Sequence, residues 1–276
     1  MIVGIDIGGS TTKICGFGPK GQLAEPLMVK ANDPLASYYG AFGKFTQTNS
    51  ISLGDIQQVM ITGVGSAFVT EGPYGLSTGK VEEFEAIGLG GLYLSGLERA
   101  VVVSMGTGTA TVMADRAQRI YLGGTGVGGG TLMGLSGRML GMRDIDHISQ
   151  LALEGDLSRI DLRIGDISQR DITSTLRTDT TASNFGKFSD TATNADIALG
   201  IINMVYETIG MISVFAARNY QVKDIVLTGN LALLPQAKPT FAILGEMFGV
   251  HFVIPEKAQY STAIGAALSH RIAQSK

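Results

Sequence analysis

Cysteine is nearly missing from this chain: Cys15 is the only one in 276 residues. A single thiol makes no intrachain disulfide, and it cannot build a Cys-ligated zinc site or an iron–sulfur cluster within one chain. A reducing compartment is the expectation. Histidine is also scarce, and His147, His251 and His270 stand at intervals that fit no metal-ligand spacing, so they read as surface or core residues. Charged residues make up only 16% of the chain, and the formal net charge is −3. No cluster of Lys and Arg offers a footing to a phosphate backbone, which argues against a nucleic-acid partner. No apolar run is read as long enough to cross a bilayer, and the N-terminus opens on strand-like residues rather than on a signal peptide. Together these absences predict a cytoplasmic protein with no nucleic-acid and no membrane partner.

What is present is a hydrophobic content of 45%, enough for a sizeable core in one large or two medium domains. Glycine is the excess, with 38 residues gathered into short clusters beside strand-like segments. Clustered glycine marks tight turns or close approach of a ligand to the backbone. Residues 1–7 and 12–17 read as two strands of a hairpin around Gly8 and Gly9. A strand near 100–103, the turn MGTGT and a strand over 110–113 repeat the same unit, which predicts an internally duplicated α/β architecture with a cleft between the halves. Between and after these lie predicted helices near 34–46, 81–97, 195–220, 235–248 and 261–274, and predicted strands over 58–62, 224–228 and 251–253.

Five segments carry the candidate chemistry. GIDIGGSTTK sets a carboxylate, Asp6, at the end of a strand, then Gly8, Gly9, Ser10, Thr11 and the amine of Lys13. Turn glycines let backbone N–H groups approach phosphate oxygens, Lys13 supplies a cation, and Asp6 is a candidate ligand of Mg²⁺. MGTGTA repeats this logic with Gly106, Thr107 and Gly108, and phosphate turns on both walls suit a nucleotide in an interdomain cleft. GGTGVGGGT, with Gly126, Gly128, Gly129, Gly130 and Thr131, precedes a helix-like segment and offers amides for an anion or ribose. It lacks the GKS or GKT of a Walker A loop and the spacing of a dinucleotide fingerprint; a flexible linker is the competing reading. In VEEFEA one of three glutamates is a candidate general base, against the alternative that acids simply favour a helix N-terminus. LTGNL adds Gly229 and Asn230 as a turn suited to packing a nucleoside.

In combination these segments resemble the superfamily of acetate kinase, sugar kinases, Hsp70 and actin. Their order and spacing, with DTTASNFGKF over 179–188, resemble the type II pantothenate kinases. The resemblance implies a duplicated actin-like ATPase (ribonuclease H-like) α/β fold, with lobes at 1–98 and 99–276 around a nucleotide cleft. It further implies a homodimer that uses ATP and Mg²⁺ to phosphorylate pantothenate, the opening step of coenzyme A synthesis. Glu83 would be the general base, Asp6 would organise Mg²⁺, and the glycine turns with Lys13 would hold phosphates. Thr107, with the positions of Ala110 and Tyr121, would face the acceptor. The last two depart from the family pattern, which has Ser and Arg there, and Arg116, Arg119 and Arg138 are candidates to replace the lost contacts. Open alternatives are a same-fold kinase for pantetheine or a sugar, and an ATP-binding regulator without turnover. A dehydratase activator has a similar opening loop but needs cysteines to hold a cluster between subunits.

Overall fold

The computed structural model describes residues 1–30, 33–168, 170, 171, 173 and 177–274. Six elements build the first part: strands β1 (Ile2–Ile7), β2 (Thr11–Phe17) and β3 (Leu27–Lys30), helix α1 (Pro34–Thr48), and strands β4 (Gln58–Thr62) and β5 (Thr78–Lys80). Helix α2 (Glu83–Ser95) follows, then β6 (Arg99–Met105), β7 (Thr109–Asp115), β8 (Arg119–Thr125), α3 (Gly129–Met139) and α4 (Ile145–Ala152). A small excursion comprises β9 (Leu162–Arg163), α5 (Ile164–Ser168) and β10 (Thr181–Ser183). The chain closes with α6 (Asn194–Asn219), β11 (Asp224–Thr228), α7 (Ala237–Phe248), β12 (His251–Val253) and α8 (Ser261–Gln274).

Local sequence explains the main starts and stops. Asp33 caps α1 by accepting from the Ala36 amide, and Pro34 takes the first helical position, where a missing N–H costs nothing. Thr193 and Asp196 form a reciprocal capping box on α6, and Gly96 ends α2 in the left-handed region. Strand β1 is buried along its whole length, as suits a central strand covered on both faces.

The duplication is plain in the sheets. The first has strand order β3-β2-β1-β4-β5 and the second β8-β7-β6-β11-β12. In each, both strand pairings on one side of the central strand are antiparallel and both on the other side are parallel. The layers run α1, first sheet, a shared layer of α8 and α2, second sheet, α6. One face of the first sheet packs Val3, Ile5 and Ile7 with Tyr38, Phe42 and Phe45 of α1; the other packs Ile2, Cys15 and Met60 against Ala263, Ile264 and Ala267 of α8. In the second sheet Val102, Val112 and Val226 meet Ile87 of α2, while Val101, Val103 and Leu227 meet Ile201, Ile202 and Val205 of α6. Thus α8, from the second half of the chain, covers the first sheet, and α2, from the first half, covers the second.

One sequence expectation is corrected here. Helix α6 is long and apolar enough to cross a membrane by length and composition, whereas no such run was anticipated. Most of its apolar window is buried inside the fold, because this helix covers a whole face of the second sheet.

Candidate active site

The two hairpin turns meet across a cleft. Gly8 to Thr11 join β1 to β2, Gly106 to Gly108 join β6 to β7, and the hydroxyls of Ser10 and Thr107 lie 3.4 Å apart. A cavity of about 480 Å³ is lined by Asp6, Gly8, Gly9, Ser10, Thr11, Lys13, Glu83, Gly106, Thr107, Gly108, Ala110, Tyr121, Gly126, Gly229 and Asn230, residues that the sequence singled out from five separate segments. It also takes in Thr109, Gly124 and Thr125 from the same segments, and Val64, Ser104 and Thr262, which sequence reasoning missed. Ser104 flanks a turn that was recognised, so adjacency was a usable signal; Val64 and Thr262 come from elements brought in only by folding.

Charge in this cavity is sparse and sharply placed. Asp6 and Lys13 are paired in register across β1 and β2, and their charged atoms stand 3.9 Å apart, both side chains largely buried. Burial pushes the Asp6 carboxyl above the usual range, opposed by the neighbouring ammonium. Glu83 begins α2. Its carboxyl is likewise raised, first by burial, then by the charge of Asp6, with Lys13 pulling the other way. A carboxylate held in this state is a better proton acceptor than one in water. Asp6 is also a fitting partner for a divalent cation: it is a buried carboxylate only loosely compensated, beside turns able to hold phosphates. Among the described residues no cluster of three or more His, Cys, Asp or Glu forms a protein-only metal cage. One carboxylate with substrate phosphates is the usual manner of Mg²⁺ binding.

The glycine-rich segment is not a linker, because it begins inside β8 and ends as the first turn of α3. Its amides are largely spent within the protein. The N–H of Gly129 donates to the Gly106 carbonyl, that of Gly130 to Thr107, and that of Gly128 to the Thr131 hydroxyl, which itself donates to Gly126. The segment therefore braces the second turn from behind. Gly129 and Gly130 line a second cavity of about 590 Å³ with Met133, Arg143, Ile145 and Leu231, and this one shares Ser10, Thr11, Gly106, Thr107 and Asn230 with the first. Gly128 and Thr131 line neither of these two. A polyphosphate across the shared residues would have a nucleoside-sized chamber on one side and Glu83 on the other.

The family model described as Fumble matches residues 99–246, a little over half of the chain. A type II pantothenate kinase of Bacillus anthracis is 33% identical over 239 residues, covering 83% of this chain and 82% of that protein. Another, from Bacillus cereus strain G9842, is 30% identical over 246 residues, covering 83% of both. This chain belongs to the type II pantothenate kinase family. Among solved structures, the activator of 2-hydroxyisocaproyl-CoA dehydratase from Clostridium difficile with bound ADPNP superposes with a TM-score of 0.71 at 15% identity, over 99% of this chain and 97% of that one. At that identity the likeness is one of fold, the two-lobed, duplicated actin-like ATPase architecture. Cys15 differs from a cluster ligand in kind: it is buried in β2, and burial pushes its thiol up to about 12.

Within the family frame, the two departures sit together on the cleft wall. Ala110 faces the cavity from β7, and the ring of Tyr121 on β8 stacks on Phe84 of α2 with centroids 3.7 Å apart. The arginines that might have replaced the family's guanidinium are elsewhere. Arg119 is held by a forked pair of hydrogen bonds to Glu85, its Nε 2.8 Å from Oε2, and Arg116 is paired with Glu98 on the surface. Arg138 is exposed near the end of α3, and none of the three lines the cavity. The family-like segment 179–188 is also remote from the cleft. Thr181 and Asn184 donate to Glu207 on α6, and the Phe185 amide donates to Asp161, which also accepts from Asn203. This segment serves to tie the β9–β10 excursion to α6.

Proposed function

We propose that this chain transfers the γ-phosphoryl group of ATP to the primary hydroxyl of pantothenate, forming 4'-phosphopantothenate, the first step of coenzyme A biosynthesis. The observation that carries the reading is the placement of Glu83 in one cavity with both glycine turns, in a chain of this family. Glu83 takes the hydroxyl proton as the new O–P bond forms, and the bond to ADP breaks with its electron pair leaving on the departing oxygen. Gly8, Gly9, Ser10, Thr11, Lys13, Gly106, Thr107 and Gly108 hold and orient the polyphosphate, with Gly126 and the braced segment Gly128 to Thr131 on the nucleotide side. Gly229 and Asn230 bound the nucleoside. Thr107, Ala110 and Tyr121 border the acceptor. When bound, Mg²⁺ neutralises phosphate charge, and Asp6 would hold it directly or through water.

The proposal extends to a cytoplasmic homodimer in which lobes 1–98 and 99–276 enclose the nucleotide. The exposed apolar Ile212 and Phe215 on α6 support the dimer, and light scattering of the pure protein tests it. The chemical reading is tested by incubating the protein with MgATP and pantothenate and weighing the product by mass spectrometry. Phosphopantothenate formed in step with ADP is the expected result; ATP hydrolysis with no phosphorylated acceptor rejects it.

A further inference from the structure

Helix α2 opens on the candidate base, and its opening turn is held from outside the helix. The first N–H groups of a helix have no partner within it, and no side chain caps those of α2, whose N-cap residue is Glu82. Helix ends left in that state fray. Here two side chains from β8 hold the residues that follow Glu83. The ring of Tyr121 lies on that of Phe84 with the two planes only 13° apart. The guanidinium of Arg119 donates to both carboxylate oxygens of Glu85.

These two contacts form one clamp. Residues 119 and 121 are alternate positions on β8, so both side chains leave the same face of the strand, the one that meets α2. Their partners on β7, Ala114 and Val112, pack with Ile87 of α2 in the same layer. The fit is close. A Cβ at Gly88, one turn beyond Glu85, would stand 2.3 Å from Cγ of Arg119, so the missing side chain there lets the arginine stem lie along the helix. The Arg119 side chain is only 12% exposed, which separates this forked pair from solvent-exposed pairs of little worth. Just before α2 the chain is tied to the other sheet, where the Val81 N–H donates to the Ile61 carbonyl of β4. Glu83 thus stands between one hold on the first sheet and two on the second.

We infer that Arg119 and Tyr121 are positioning residues for Glu83: by holding Glu85 and Phe84 they fix the first turn of α2 to the cleft wall formed by the second sheet and keep the Glu83 carboxylate in place within the cavity. A general base works only within hydrogen-bond reach of the proton it takes, and a displacement of roughly 1 Å is enough to cost about a hundredfold in rate. The inference rests on Glu83 as the base of the transfer proposed above, and it gives Tyr121 a task beyond bordering the acceptor.

The test loosens each hold without changing the net charge around Glu83, which Asp6 and Lys13 face from β1 and β2 and which Glu82 and Glu85 neighbour on its own segment. One variant combines Glu85→Gln with Arg119→Met; the other is Tyr121→Ala. In each, kcat should fall about tenfold to a hundredfold while a fluorescent ATP analogue binds as in the wild type. A ¹³C carboxyl titration without nucleotide should show Glu83 ionising at lower pH than in the wild type, because burial is the first cause of its raised value and a loosened turn admits water. Tyr121→Phe, which keeps a ring to stack, should leave that titration where it stands in the wild type. Thermal melts report folding, and the Tyr121 side chain is exposed enough that its two variants carry the test if the paired variant does not fold. Glu83 titrating as in the wild type in the loosened variants overturns the inference even where kcat falls, since a loss through the acceptor contact or through general instability leaves that carboxyl buried. The two readings fail separately: retained kcat in Glu83→Gln rejects the base, whereas an unmoved titration rejects the clamp.

Discussion

One residue pair back from each hairpin turn, Asp6 on β1 faces Lys13 on β2 in the first lobe, and Ser104 on β6 faces Ala110 on β7 in the second. The backbone is the same and the chemistry is not. Duplication supplied two matching turns whose hydroxyls meet at Ser10 and Thr107, and later divergence put the ions on one side only. The first lobe handles charge, with Asp6, Lys13 and, from the adjoining helix, Glu83; the second offers small neutral groups that let a ligand approach the backbone. A second pair of matching features deepens the comparison. Both β4 and β11 are followed by a glycine with φ near +85° (Gly63 at 84°, Gly229 at 88°) and then by a short 3-10 turn whose first residue, Val64 or Asn230, lines the cleft.

The sharpest way to break the asymmetry is to remove the charge proposed to do the chemistry. Glu83→Gln should lower kcat by about 10²–10⁴-fold, the usual range for a general base, while a fluorescent ATP analogue binds as before. Retained kcat would reject Glu83 as the base. Next in size are the paired glycines. A Cβ at Gly229 would stand 2.4 Å from the Met105 carbonyl, and one at Gly63 would stand 2.6 Å from both the Asp6 carboxylate and the Ile7 carbonyl. Each Gly→Ala change should cost about 1–3 kcal/mol in urea unfolding through its left-handed backbone alone. Only Gly63→Ala should also disturb Asp6, so its loss of activity should exceed that of Gly229→Ala when both are assayed well below their melting points. The smallest effect is electrostatic. Because the Asp6 charge raises the Glu83 carboxyl, Asp6→Asn should lower it, and a ¹³C carboxyl titration without nucleotide should show Glu83 ionising at lower pH than in the wild type. For the wild type the raised value means that kcat/KM falls on acidification before the ordinary carboxylate range is reached, since the protonated base is inactive.

Much of this was legible in the sequence because the informative residues are local. A strand, two or three glycines and a strand specify a turn within ten residues, and β4 and β11 are short apolar runs that stop at Gly63 and Gly229. What escaped was set by distance. Strand β8 is absent from the predicted strands because Gly123 and Gly124 depress its strand propensity; pairing with β7 overrides that. The short β3 and β5 are held by their neighbours in the first sheet rather than by their own composition. The amides of Gly128 to Gly130 looked available, and only the fold reveals that the carbonyls of Gly106 and Thr107 consume two of them. Arg119 looked like a substitute for the family's guanidinium, and only the helical placement of Glu85 shows that it is engaged.

The crossing of α2 and α8 bears on how the molecule is made. The two helices approach so closely that a Cβ on Gly90 would lie 1.8 Å from the Ser261 carbonyl and one on Gly265 the same distance from that of Ala86, while Gly4 of β1 leaves equally little room beside Ala263. A ribosome must synthesise the rest of the second lobe before it produces the helix that covers Ile2, Cys15 and Met60 of the first. The earlier-made lobe waits with one face of its sheet bare, and its maturation is coupled to the lobe that follows it.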